Sequence, residues 1–158
     1  MTDARFEDGD EAPLRLIAQD ADGLGILSAL VQDAVFAITE MTYVRKRRRF
    51  ALLVNRFRWE DRDTAARQGR GYERVQSLLV FEDVLSVQTS GLDRTAPDMI
   101  LSLLQVRFTP AAEGAGRVEL VLAGDGAIAL ELETLDALLR DVSRPYLAPS
   151  GRVPGHEA

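Results

Sequence analysis

The chain has 158 residues, 46% of them hydrophobic, and a formal net charge of −6, enough for one domain with a core of its own. It has no cysteine, which excludes disulfides, thiolate metal sites and a cysteine nucleophile. The acidity is uneven: residues 1–12 hold Asp3, Glu7, Asp8, Asp10 and Glu11 against Arg5, and the rest of the chain is nearly neutral.

Residues 1–12 are too polar to fold alone and read as an acidic disordered tail, closed by Pro13. A start this acidic differs from a secretory signal, and no apolar run has the length of a membrane span, so a cytoplasmic setting is expected. A single globular domain is expected over residues 13–146, with a second disordered tail at 147–158. Leu14–Ala18 alternates as a short strand does. Asp20 or Asp22 then offers an N-cap for a helix to about Asp33, with Leu24, Leu27, Leu30, Val31 and Ala34 on one face. Gly23 and Gly25 in its first turns each cost about 1 kcal/mol against alanine, so a docked face must hold this helix.

Val35–Ile38 and Met41–Arg45 read as strand segments, and Arg49–Trp59 and Tyr72–Glu82 as long strands. Between the long strands, Glu60–Gly71 is polar, ends in Gly69-Arg70-Gly71 and reads as a loop. Both long strands carry apolar residues on two faces, as strands of a curled or doubly covered sheet do. Val84–Thr89 and Ile100–Phe108 follow as strands.

Arg117–Ala123 and Ala127–Glu133 alternate around Gly124-Asp125-Gly126 and predict a hairpin. Val118, Leu120 and Leu122 share a face with Ile128, Leu130 and Leu132 if partner numbers sum to 250; the turn then needs a positive φ at Gly126. Leu135, Leu138, Leu139 and Val142 have i, i+3, i+4, i+7 spacing, so a final helix is expected, capped by Thr134 and stopped by Pro145.

The expected fold is α+β: a seven-stranded antiparallel, partly open, pleckstrin-homology-like β-barrel closed by a C-terminal helix, with an extra N-terminal strand and helix. An open antiparallel sheet with two helices on one face is the rival.

Several phrases carry a family likeness: L-R-L-I-A-Q-D, I-L-S-A-L-V-Q-D-A, R-R-F-A-L-L-V-N-R-F-R-W-E, Y-E-R-V-Q-S-L-L-V-F-E-D-V-L-S-V and A-G-D-G-A-I-A-L-E-L-E. Over about residues 14–143 the chain resembles an alphaproteobacterial family catalogued as domain of unknown function 2948. That resemblance implies no activity, ligand or catalytic residue.

Candidate chemistry is sparse. His156, the lone histidine, lies in a Pro/Gly tail with no fixed geometry for a base or a metal ligand, so no metal or cofactor is expected. Asp20 with Asp22, and Glu82 with Asp83, are the carboxylate pairs near ordered elements, and such pairs cap helices or mark corners more often than they catalyse. Gly69 and Gly71 precede a strand, not a helix, and so hold no phosphate.

One charge feature stands out. Arg45, Lys46, Arg47, Arg48 and Arg49, followed by Arg56 and Arg58, run without an acid until Glu60, with Tyr43, Phe57 and Trp59 as neighbouring rings. Read functionally, these residues and Trp59 form a site for an anion or a partner protein. In pleckstrin-homology-like domains the loop between the first two barrel strands often binds such groups. The plain alternative is a solvated hairpin tip whose like charges discourage edge pairing. Phe57 and Trp59 read as core, or Trp59 as an exposed anchor.

The reading is a non-enzymatic binding domain, monomeric or homodimeric, whose partner is an unknown protein or small anionic ligand rather than nucleic acid. The runner-up is a small enzyme with carboxylate-based or substrate-assisted chemistry.

Overall fold

The computed structural model describes residues 12–69, 71, 73–93 and 95–147. Apart from residues 12 and 147, the two stretches read as tails lie outside them, as does His156.

Strand β1 (Arg15–Ala18) leads into helix α1 (Ala21–Leu30). Of the two candidate caps, Asp20 is the one used: its carboxylate accepts the Gly23 N–H at 2.8 Å. A Cβ on Gly23 would lie 3.3 Å from the Ala18 Cα, so the missing side chain lets the first turn close onto the end of β1. Leu24 and Leu27 are buried, and the helix packs on β1 and on β7 (Ile100–Pro110).

The chain continues through β2 (Val35–Ala37), a 3₁₀ turn, β3 (Met41–Val44), a second 3₁₀ turn at Arg45–Arg47, and β4 (Arg49–Phe57). Trp59–Asp61 and helix α2 (Arg62–Arg67) occupy the segment expected to be loop. β5 (Glu73–Phe81) and β6 (Val84–Ser90) precede β7. β8 (Gly116–Leu122), β9 (Ala127–Leu132), β10 (Ala137–Asp141) and β11 (Tyr146–Leu147) follow it.

Every strand pairing is antiparallel, in the order β1-β10-β5-β4-β2-β7-β8-β9-β6, with β11 added to β5 and β3 to β4. The order ends at β1 and at β6, so the sheet is open. The barrel expectation is therefore wrong, and so is its closing helix. The segment expected to plug the barrel is β10, where Leu139 faces Leu16 on one side and Leu79 on the other. Ala137 and Leu139 are buried while Val142 is 43% exposed, a period of two rather than 3.6. Four apolar residues in eight fit either period. The decision is tertiary: β5 has a long edge whose backbone groups need partners, and β10 supplies them to β5 and β1 together. The rival open sheet is nearer, but its C-terminal helix is absent for the same reason.

The sheet bends over one core. β5 runs into β6 through Glu82-Asp83, with Asp83 at φ 56°. β9 and β10 follow the same bend: the Glu82 N–H donates to the Asp136 carbonyl at 2.9 Å, and the Glu133 N–H to that of Asp83 at 3.0 Å. The cluster between the two halves joins Leu24 and Leu27 to Phe50, Leu52, Leu79 and Phe81, and to Leu103, Leu120, Ile128 and Leu130. Each such side chain contributes about 1.5–3 kcal/mol by leaving water.

The β8–β9 hairpin has the predicted faces and a different register. Leu120 faces Ile128 and Val118 faces Leu130, so partner numbers sum to 248 rather than 250. A shift of two leaves every side chain on its face. The Leu122 N–H donates to the Gly126 carbonyl at 2.9 Å, and the positive φ values fall on Gly124 (81°) and Asp125 (69°), not on Gly126.

Candidate functional site

The seven cations of the basic stretch do not act as one surface. Arg45, Lys46 and Arg47 form an exposed 3₁₀ turn at the tip of the β3–β4 hairpin, and Arg48 closes it. The four residues bridge the Val44–Arg49 pair, with the Arg48 N–H donating to the Arg45 carbonyl at 3.1 Å. Arg48 sits in the left-handed region at φ 53°, an uncommon place for a residue with a side chain. Its guanidinium pairs with Glu133, and the Arg49 Nε donates to both carboxylate oxygens of Glu82 at 3.0 and 3.2 Å. These two pairs fasten the tip to the bends where β9 meets β10 and β5 meets β6. Arg45, Lys46 and Arg47 have no carboxylate within ion-pairing distance among the described residues.

Arg56 and Arg58 point elsewhere. Arg56 is fully buried, and its guanidinium donates to both oxygens of Glu60 (2.9 and 2.8 Å), Asp141 (3.0 Å), the Ser77 hydroxyl (2.9 Å) and the Phe57 carbonyl (3.1 Å). It ties the turn after β4 to β5 and β10. Burial pushes the Glu60 carboxyl up, but the hydrogen bonds and charge of Arg56 outweigh it and hold the group below the usual carboxylate range. Arg58, 3% exposed, pairs with Glu73 and lies 3.6 Å from Asp61. Trp59 is half-buried: its ring lies 5.6 Å from that of Phe57, and its indole N–H donates to the Gln32 carbonyl at 3.0 Å, just past the end of α1.

The partners of this network were out of sight in the sequence. Glu60 stands four residues after Arg56, a weak local signal, but Asp141 is 85 residues away and lay in the supposed helix. Glu133 is 85 residues from Arg48 and Glu82 is 33 from Arg49, and only the strand order brings them together.

The carboxylate pairs are occupied by structure. Asp20 caps α1, Glu82 holds Arg49, and Asp83 forms the bend. A groove of about 480 Å³ runs beside α1 and contains the exposed Arg107–Glu119 ion pair at 2.6 Å. Among the described residues no helix is long and apolar enough to cross a membrane.

The class is thus an open, bent antiparallel sheet with one helix against its core and a basic turn at a hairpin tip. Within it, the chain belongs to the family described as Protein of unknown function (DUF2948), whose model matches residues 14–156. No curated protein and no solved structure matches the chain.

Proposed function

We propose that this is a non-catalytic cytoplasmic binding domain that takes an anionic ligand, or the anionic face of a partner, at the Arg45-Lys46-Arg47 turn. One observation carries the reading: three exposed cations share one tight turn with no carboxylate partner among the described residues. Arg48 and Arg49 are spent on Glu133 and Glu82, which fixes the tip without neutralising its crown. A compact positive turn on a rigid hairpin raises the local concentration of anions, and its pull fades with salt. Arg56, Arg58 and Trp59 hold the turn after β4 and do not meet the ligand.

The test reverses Arg45, Lys46 and Arg47 to Glu and follows binding of labelled heparin and of vesicles rich in anionic lipid. The parent should bind at low salt and the variant should not, while both unfold alike, since exposed charges cost less than about 0.5 kcal/mol each. Absence of binding by the parent to either probe at low salt would end the proposal.

A further inference from the structure

We infer that the anion held at the Arg45–Arg47 turn is one end of an extended acidic peptide from a partner protein, which adds as a strand to the free edge of β6. This rests on the turn being an anion site. Among the described residues β6 pairs only with β9, and β3 only with β4, so each offers one unpaired edge. The two are tied near the turn, where the Val84 N–H donates to the Arg48 carbonyl and the Tyr43 hydroxyl to the Val84 carbonyl, both at 2.8 Å. Beyond that point no ladder among the described residues joins them. A gap of about 260 Å³ opens there, lined by Met41, Tyr43, Phe50 and Val87.

Three features select a peptide strand. β6 reads Val84-Leu85-Ser86-Val87-Gln88-Thr89-Ser90, with no charge and no proline to protect an open edge. The other terminal strand, β1, carries Arg15. A bulge lies between Val84 and Ser86, where Leu85 is 48% exposed, and Val44 at the end of β3 is 41% exposed, so apolar side chains stand out from both strands. Tyr43, which lines the gap, is two residues from Arg45, so the end of a peptide seated in the gap lies near the cations. Main-chain hydrogen bonds to β6 would hold such a peptide, alternate apolar side chains would fill the gap, and acids at one end would meet the turn.

The experiment selects from a random-peptide display library on the immobilised full-length protein, then titrates the enriched peptides by fluorescence anisotropy. The expected peptides alternate apolar residues and end in Asp or Glu. Val87→Glu, the exposed-site variant Leu85→Glu, and the triple Arg45, Lys46, Arg47→Glu variant should each weaken them about tenfold or more. Heparin binding should survive Val87→Glu and Leu85→Glu, and the peptide should slow amide exchange in β6. Acidic peptides without apolar alternation, binding indifferent to Val87→Glu and Leu85→Glu, or protection at β1 or β3 instead of β6 would overturn the inference while heparin still bound the turn. Concentration-dependent dimers lost in Leu85→Glu would overturn it too, by making a second copy the occupant. If neither heparin nor any peptide engages the turn, both readings fail together.

Discussion

A guanidinium buried in a sheet persists only where its donors are met, and Arg56 finds Glu60, Asp141, Ser77 and the Phe57 carbonyl around it. Replacing Arg56 with Leu would leave two carboxylates facing each other inside that shell. The expected loss is about 3–5 kcal/mol, read from the urea midpoint; a midpoint equal to that of the parent would show the network to be idle. Glu60 gives the same cluster a pH signature. Its folded-state pKa lies below the unfolded one, so its contribution is complete above the unfolded value, about 4.3, and is lost as pH falls through the folded value. Glu60→Gln should flatten the acid limb of the stability curve, and an unchanged limb would assign that limb to other carboxylates.

Gly91 packs directly on the backbone of the β8–β9 turn. It sits at φ 71°, and a Cβ there would lie 2.9 Å from the Asp125 carbonyl oxygen and 3.0 Å from the Gly126 Cα. Both neighbours are backbone and cannot step aside. Gly91→Ala should therefore cost about 2 kcal/mol or more, through strain and through loosening of the β8–β9 turn. A thermal midpoint unchanged by the substitution would refute that packing.

Among elements, strands with strong alternation and a bounding turn were legible in the sequence. β4, β5 and β7 extend close to where the pattern puts them, and the β8–β9 faces are the predicted ones. The turn between β8 and β9 was misread because Gly124, Asp125 and Gly126 can all take positive φ, and local chemistry alone does not choose among them. Helix α2 was hidden by polarity: only Ala65 of its six residues is buried, so it has almost no apolar stripe to read. β10 was hidden by ambiguity, and its correction can be checked directly. A strand there buries Ala137 and exposes Val142, whereas a helix would bury Val142. Ala137→Glu should abolish cooperative unfolding, because it drives a charge between β1 and β5. Val142→Glu should stay within about 0.5 kcal/mol of the parent. The reverse pattern would restore the helix.

The whole-molecule arrangement was the least legible part. Placing β10 between β1 and β5 brings residues near both ends of the chain together, and no local pattern encodes that. The same order decides which arginines remain for function. A run of seven cations in the sequence becomes two buried structural residues, two anchored ones and three at the exposed tip. The salt dependence of polyanion binding counts the cations that this partition leaves at the tip. With labelled oligothymidylate as a plain single-stranded polyanion, each phosphate contact contributes about 0.7 to the slope of log K against log salt. Three contacts predict a slope of about −2, and reversing Arg45, Lys46 and Arg47 to Glu should remove binding altogether. A slope near −5, or binding that survives the reversal, would mean that the other four arginines reach the ligand.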